Sequence, residues 1–276
     1  MKAQIHTTSL GAGVQSSCLV LMQKHGLIKP MPSAAIFSDT GGEPESVYSY
    51  LDFLKKELPF PVYTVMEKEG LTKEIEKSVY GEVERLGNPP FYTKENSDAE
   101  VGLLNRLCTS EFKIKPIKRK LRELLGYEKR QRIPAKSVIQ SIGISLDEIQ
   151  RMKESKDKWI VNTYPLIEKR MKRGDCIEWL KKMGYPEPPR SACVYCPFHS
   201  DHEWRNIKKD QKAWAEAVRI DKLIRSGLVG TKSTLFLHSS GKPLEEVDLT
   251  TDVDRGQLTM FNAGVSGLEC EGMCGV

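Results

Sequence analysis

The chain has 276 residues, of which 39% are hydrophobic, with 21 glycines and 15 prolines. This length can bury a substantial core as one large domain or as one domain with an appendage, and the composition is that of a soluble globular protein. The formal charge of +5 suits an anionic ligand, but a solvated basic surface explains it equally well, and it is too small to demonstrate nucleic-acid binding. Because no apolar run is long enough to span a membrane and the amino terminus lacks a signal pattern, we expect a cytoplasmic protein with no membrane partner.

The first predicted element is a short strand over residues 3–8, which leads through a loop of small and hydroxyl residues into an apolar helix that begins at Cys18. Glycines in such a loop allow a sharp turn and a close approach of an anion, and the following helix N-terminus favours negative charge. We therefore predict a phosphate-binding loop, with an ordinary Gly/Ser turn as the alternative, and not a Walker loop, since no Gly-Lys-Ser/Thr follows. The predicted nucleotide-binding residues of this loop are Ser9, Gly11, Ala12, Gly13, Gln15, Ser16 and Ser17.

Strands and helices then alternate along the chain. Residues 33–37 are predicted to form a buried strand, 38–42 a loop, 44–58 a helix, 61–65 a strand and 137–144 another strand. This alternation predicts an α/β protein with a mostly parallel sheet, helices on both faces and ligands at the carboxyl ends of the strands. Asp39, Thr40 and Gly41 lie at such an end, where they can contact a ribose or a phosphate bound to magnesium. Residues 80–110 have weak periodicity and are interpreted either as a lid or as an irregular surface excursion.

Several segments occur in an order that is more specific than any one of them. They are Ser9 to Ser17, Ser38-Asp-Thr-Gly-Gly-Glu-Pro-Glu-Ser-Val-Tyr48, Cys108-Thr-Ser-Glu-Phe-Lys-Ile-Lys-Pro-Ile117, Ile142-Gly-Ile-Ser-Leu-Asp-Glu-Ile-Gln-Arg151, Tyr164-Pro-Leu166, Asp175-Cys-Ile-Glu-Trp179 and Ser191-Ala-Cys-Val-Tyr-Cys-Pro197. In this order they resemble the phosphoadenosine phosphosulfate (PAPS) reductase-like family of the PP-loop, or adenine nucleotide α-hydrolase, superfamily. The resemblance implies a Rossmann-like nucleotide-binding domain over residues 1–200. Residues 201–276 are then a mainly helical extension with a cysteine-containing tail.

Basic residues near the predicted site are candidates for stabilising charge on a phosphate. Lys113 is predicted to be catalytic, with Lys115 and Arg119 as further candidates. Arg151 is a predicted nucleotide-binding residue, and the alternative for it is an i,i+4 salt bridge to Asp147.

Seven cysteines in a chain expected in the cytoplasm indicate metal, cluster or redox chemistry rather than a disulfide framework. The resemblance implies that Cys108 joins the pair Cys193 and Cys196 at a [4Fe–4S] cluster. We predict Cys176 as the fourth ligand, with Cys270, Cys274 or no protein ligand as alternatives. Zinc is the alternative metal, because two histidines, His199 and His202, follow the pair closely.

The carboxyl-terminal segment Leu268-Glu-Cys-Glu-Gly-Met-Cys-Gly-Val276 contains two cysteines. Its Glu-Cys start resembles the tail whose cysteine is the nucleophile of sulfonucleotide reductases, so Cys270 is a predicted catalytic residue and Cys274 a second catalytic thiol. The pair can instead carry a persulfide, close as a disulfide or bind metal, and a tail with chance cysteines is the remaining alternative.

These features favour an enzyme that activates a substrate oxygen with ATP, releases pyrophosphate and transfers sulfur to an acceptor. The first alternative is reduction of adenylyl sulfate (APS) or PAPS to sulfite, with Cys270 as the nucleophile. The second is a nucleotide- and cluster-binding sensor without turnover. The expected partners are an adenine nucleotide and either a thiol reductant or a sulfur donor protein. The sequence leaves open which acceptor is used, whether that acceptor is a nucleic acid, and whether the protein forms a homodimer.

Overall fold

The computed structural model describes residues 4–96 and 99–250, which group by contacts into two compact units. The first, here called the sheet unit, consists of residues 4–68 and 109–191. The second, here called the cysteine unit, consists of residues 69–96, 99–108 and 192–250. The predicted domain boundary at residue 200 rests on sequence resemblance and stays a prediction.

Eight strands and eight α-helices are found in the described residues. The strands are β1 (Ile5–Leu10), β2 (Ala34–Asp39), β3 (Val62–Met66), β4 (Tyr92–Lys94), β5 (Gly102–Leu103), β6 (Val138–Ile142), β7 (Ile160–Thr163) and β8 (Thr234–Phe236). The helices are α1 (Val14–Lys24), α2 (Glu45–Glu57), α3 (Leu71–Val79), α4 (Lys115–Leu124), α5 (Pro165–Glu168), α6 (Arg173–Lys182), α7 (Asp201–Lys209) and α8 (Gln211–Ile224). A π-helical turn at Thr109–Ile114 precedes α4, and 3-10 turns lie at Leu146–Arg151 and Leu244–Glu246.

The sheet unit is built on five strands in the order β3-β2-β1-β6-β7, and every neighbouring pair in this sheet is parallel. The predicted α/β, Rossmann-like fold class is therefore confirmed. The strand order reverses between β1 and β6, because the chain runs from β1 outward through β3 and later returns to the other side of β1. In open parallel sheets this reversal point leaves a crevice at the carboxyl ends of the two strands, where ligands bind.

Helices cover both faces of this sheet, as the packing of two neighbouring residues of β2 shows. Phe37 belongs to a buried cluster with residues of α1, α2 and α6, whereas Ile36 packs with residues of α4, β6 and β7. Successive side chains of a strand point to opposite faces, so a strand covered on both sides is apolar at nearly every position. β2, with the sequence Ala-Ala-Ile-Phe-Ser-Asp, is buried from Ala34 to Ser38.

The cysteine unit contains a three-stranded antiparallel sheet in the order β5-β4-β8, together with α3, α7 and α8. Residues 80–110, which lacked clear periodicity, supply β4 and β5 to this sheet. Helix α7 begins with a capping box: the Glu203 N–H donates to Ser200 Oγ at 3.4 Å, and the Ser200 N–H donates to Glu203 Oε2 at 2.6 Å. No helix in the described ranges is long and apolar enough to cross a membrane.

Candidate active site

The loop between β1 and α1 lies at the reversal point of the parallel sheet. Ala12 has a φ of 60°, a conformation that a residue with a Cβ adopts only at a cost, so the loop is held by its surroundings. Gly13 is the N-cap residue of α1, and no side chain of the described residues caps this helix. An uncapped helix N-terminus presents backbone N–H groups and a partial positive charge to a ligand.

Some polar atoms of the loop form hydrogen bonds within the protein, and others have no hydrogen-bond partner among the described residues. The Gly11 N–H donates to Ser16 Oγ at 3.2 Å, and this hydroxyl donates to the Gly13 carbonyl at 3.3 Å. By contrast, Ser9 Oγ, Gln15 Oε1 and Ser17 Oγ are buried and have no hydrogen-bond partner among the described residues. Buried polar atoms are almost always hydrogen-bonded, so three exceptions in one loop indicate that a ligand or ordered water completes them.

The segment after β6 packs directly against the start of α1. A Cβ at Gly143 would lie 2.7 Å from Ser16 Cα and 2.8 Å from Ser16 N, so only glycine fits there without a shift of the backbone. Gln15 Nε2 lies 3.4 Å from Ser145 Oγ and donates to Glu148 Oε2 at 3.1 Å. The nucleotide loop and the β6 segment therefore form one hydrogen-bonded unit at the sheet edge.

Arg151 forms an ion pair with Glu148, three residues earlier. The sequence suggested Asp147 as the alternative salt-bridge partner of Arg151, but the partner in the structure is Glu148. Asp147 instead accepts the backbone N–H of Arg173 at 3.1 Å, at the start of α6. Arg151 is connected to the nucleotide loop through Glu148, which also accepts from Gln15.

The carboxyl end of β2 places Asp39, Thr40 and Gly41 at the same edge of the sheet. Asp39 Oδ1 accepts the Gly41 N–H at 2.7 Å and the Tyr48 hydroxyl at 2.8 Å. Thr40 is buried, and its Oγ1 accepts the Gly42 N–H at 3.4 Å. These bonds hold Asp39 in a fixed orientation at the end of the strand next to β1.

Lys113 is a buried residue in the π-helical turn, a type of turn that is frequent at functional sites. Ser38 Oγ donates to the Phe112 carbonyl at 2.8 Å, which holds this turn at the end of β2. Lys113 Nζ lies 3.4 Å from Glu43 Oε1, and Ser191 Oγ lies 3.4 Å from Glu43 Oε2. Glu43 and Ser191 were not among the site residues predicted from the sequence, and the only signal for them was their place inside two of the ordered segments.

Lys115 and Arg119 both bind Glu67, which directly follows β3. Lys115 Nζ lies 2.9 Å from Glu67 Oε1, and Arg119 Nη1 lies 2.7 Å from Glu67 Oε2. Burial tends to raise the pKa of the Glu67 carboxyl, but the hydrogen bonds and charges of the two basic residues outweigh burial and lower that pKa. Of the three basic candidates, Lys115 and Arg119 share one carboxylate, whereas Lys113 is paired with Glu43.

Cys193 and Cys196 lie on one turn of the cysteine unit, in which the Cys196 N–H donates to the Cys193 carbonyl at 2.9 Å. Both side chains are partly exposed. Burial and, to a lesser degree, the nearby Cys196 raise the pKa of Tyr92, which lies on β4. Cys108 belongs to the same unit, and its backbone N–H donates to the Asn88 carbonyl at 3.1 Å.

The two histidines after the cysteine pair have other contacts. His199 Nε2 donates to the Cys193 carbonyl at 2.9 Å, and its ring packs edge-on against Trp204 with 4.9 Å between the centroids. His202 Nε2 lies 3.1 Å from Asn206 Nδ2. Within the described ranges, no group of three or more His, Cys, Asp or Glu side chains is arranged to hold a metal ion. These residues alone therefore do not fit a complete cluster or zinc site.

The remaining predicted site cysteines are Cys176, Cys270 and Cys274. Cys176, on α6, is fully buried and belongs to the apolar cluster of the sheet unit together with Cys18. Cys270 and Cys274 lie outside the described residues. The metal ligand set and the tail thiols stay predictions.

No family model matches the chain, and a search of curated proteins finds no match. Among solved structures, the chain is similar to phosphoadenylyl-sulfate (PAPS) reductase from Candida auris in its phosphate complex, with a TM-score of 0.42 and 14% sequence identity. The similar region covers 66% of this chain and 74% of that chain.

Proposed function

We propose that the protein is an enzyme of nucleotide-dependent sulfur chemistry that binds an adenine nucleotide at the loop of residues 9–17. The observation that carries this proposal is the group of buried side-chain oxygens at the uncapped start of α1 that have no hydrogen-bond partner among the described residues, Ser9 Oγ, Gln15 Oε1 and Ser17 Oγ. A phosphate oxygen would accept from the Ser9 hydroxyl and from the backbone N–H groups of the helix start. Gln15 Oε1 would accept from a ligand hydroxyl or amino group, or from a water molecule that the ligand orders.

The proposed reaction is adenylation followed by sulfur transfer. An acceptor oxygen attacks the α-phosphorus of ATP, the bond from that phosphorus to the bridging oxygen breaks, and pyrophosphate leaves. A sulfur donor then attacks the activated acceptor carbon, and AMP leaves with the oxygen. Lys113, buried at the sheet edge, would stabilise the negative charge that develops on the phosphates, since a fixed cation in a water-poor site acts more strongly than one in solvent. Asp39 would contact the ribose or a magnesium ion on the phosphates.

The proposal also includes an iron–sulfur centre, for which cysteines of this chain would be the ligands. Cys193 and Cys196 would supply two thiolates from one turn, and Cys108 a third from the same unit. The proposed fourth ligand is Cys176, with Cys270, Cys274 or no protein ligand as the alternatives. Such a cluster would supply electron transfer or a sulfur-binding iron. Anaerobic purification with iron, sulfide and zinc analysis tests this: about four irons per chain support it, and stoichiometric zinc without iron contradicts it.

Nucleotide binding is tested by thermal unfolding of the full chain with ATP, APS, PAPS and, as a control, GTP. A ligand that binds only the native state at a hundred times its Kd stabilises that state by about 2.7 kcal/mol, which gives a readable rise in Tm. The variant Ser9→Ala should lose most of the rise. The matched control is Ser137→Ala, since Ser137 is half-buried just before β6, at the opposite end of that strand, and donates to the Pro134 carbonyl at 2.7 Å.

The ligand panel also separates the reactions. ATP-dependent pyrophosphate release with a supplied acceptor supports adenylation, whereas sulfite release from APS or PAPS with a thiol reductant supports reduction instead. No rise in Tm with any adenine nucleotide would contradict the proposed function as a whole.

A further inference from the structure

The ion pair between Glu43 and Lys113 is almost completely removed from solvent. The Glu43 side chain is 1% exposed and the Lys113 side chain 6% exposed. Taking two charges out of water is costly, and their attraction offsets that cost only when the geometry is excellent. A buried ion pair therefore contributes little to the stability of the fold. Its position at the edge of the sheet where ligands bind suggests a functional role.

The contacts of Glu43 are longer than a permanent structural ion pair would have. Lys113 Nζ is 3.4 Å from Glu43 Oε1, whereas charge-assisted N–H···O bonds are commonly about 2.7–2.9 Å. The Ser191 hydroxyl donates to Glu43 Oε2 at 3.4 Å, which is also long for an O–H donor. The ammonium group therefore gains less from Glu43 than it would from a closely placed anion.

The pair lies beside the nucleotide loop within the sheet unit. Phe37 of β2 pairs in register with Leu10, the last residue of β1, and Ser38 Oγ binds the Phe112 carbonyl next to Lys113. Glu43 comes just before Pro44, the N-cap residue of α2, so the N-terminus of that helix favours the negative charge of the carboxylate. The carboxylate thus has two stabilising partners besides Lys113, namely the N-terminus of α2 and Ser191.

We propose that Glu43 is a resident counterion that competes with the phosphates of the ligand for Lys113. This inference rests on the proposed nucleotide-binding function and concerns the same site. Without ligand, Lys113 is neutralised by Glu43 and held in place. When a polyphosphate binds, Nζ turns to a phosphate oxygen, while Ser191 and α2 retain the carboxylate. Glu43 is then a positioning residue that lowers affinity for anions and selects ligands with enough negative charge to displace it.

The test is isothermal titration of the full chain with ATP and with inorganic pyrophosphate in EDTA, so that no metal ion links a carboxylate to the phosphates. Glu43→Gln should lower both Kd values about tenfold, because it removes a negative charge close to Lys113 without changing the side-chain size. Lys113→Met should raise both Kd values. In the double variant, Glu43→Gln should have no further effect, since its action passes through Lys113.

The matched control is Glu111→Gln, which removes one acidic charge from the same turn but at a side chain that is 39% exposed and paired with Lys115. Its Kd values should stay within about twofold of the wild type, because exposed charges interact weakly through water. Circular dichroism should show that each variant is folded. If Glu43→Gln is not, Glu43→Asp makes the same test, because a carboxylate one methylene shorter lies farther from Lys113 and should still lower the Kd, by a smaller factor.

Four outcomes would overturn the inference. A higher Kd for Glu43→Gln means that Glu43 helps to bind the ligand. An equal gain of affinity in the Lys113→Met background means that its charge acts generally and not through Lys113. Absence of ligand binding in the wild type contradicts the proposed function and the inference together, whereas wild-type binding without a gain in Glu43→Gln contradicts the inference alone.

Discussion

Gln15, in the first turn of α1, donates its amide to Glu148 Oε2 at 3.1 Å, across 133 positions of sequence. Glu148 is at the same time the ion-pair partner of Arg151. The hydrogen bond joins the two loops that border the crevice between β1 and β6. Gln15 Oε1, the other polar atom of this amide, has no hydrogen-bond partner among the described residues.

Replacing Gln15 by glutamate should strongly reduce nucleotide affinity. The variant keeps the size of the side chain but places a carboxylate beside Glu148 and the predicted phosphate position, and like charges at such distances repel by several kcal/mol. We expect the Kd for ATP to rise by at least about tenfold in titration calorimetry. Gln131→Glu, at an exposed position, is the control and should leave the Kd unchanged. Equal affinities of Gln15→Glu and wild type would show that the ligand lies elsewhere.

Gly143→Ala should destabilise the sheet unit, because the new Cβ would meet the Ser16 backbone at 2.7 Å. Overpacking of this kind commonly costs about 1–3 kcal/mol of unfolding free energy. The control is Gly174→Ala in α6, where a Cβ meets nothing within 4 Å and alanine is the better helix former. Urea denaturation should show a lower midpoint for the first variant and an unchanged or higher one for the second. Similar midpoints for both would argue against a tight contact between the β6 segment and α1.

Asp221→Ala should cause the largest loss of stability in the cysteine unit. Its fully buried carboxylate accepts the Leu237 N–H at 3.0 Å and the Leu244 N–H at 2.9 Å, and it pairs with Arg225 at 2.7 Å. Removing one partner of a buried pair costs about 3–5 kcal/mol. Glu245→Ala, at an exposed residue paired with Lys222, should cost about 1 kcal/mol or less in the same denaturation experiment. A small effect at Asp221 would mean that water replaces the lost carboxylate.

Glu67 should make the stability of the protein depend on acid pH. Its pKa is lowered from the usual value of 4.5, so the ionised form is favoured in the folded protein. The resulting stabilisation is fully present above that usual value and is lost as the pH falls through the lower, folded-state pKa. Denaturation midpoints measured from pH 7 to pH 3 should therefore converge for wild type and Glu67→Gln at acid pH. A difference between the two proteins that is constant over this range would show that the charge of Glu67 is not responsible.

Local patterns predicted the elements of the parallel sheet well. The helix expected over 44–58 is α2 (Glu45–Glu57), and the strands expected at 33–37, 61–65 and 137–144 overlap β2, β3 and β6. Their apolar runs and the glycine and proline residues between them are short-range signals. β7 was not identified, and the short strands β4 and β5 were missed because three or two residues are too few to show a period.

The sequence by itself determined the parallel α/β fold class and the candidate phosphate loop, because periodicity and loop chemistry are local properties of the chain. Only the tertiary structure decided which charged groups meet: Lys113 with Glu43 across 70 positions, and Gln15 with Glu148 across 133. It also assigned Arg151 to Glu148 rather than Asp147, and Cys176 to the apolar core of the sheet unit. Such pairings depend on strand order and on the direction in which side chains leave the backbone, and a linear pattern of residue types specifies neither.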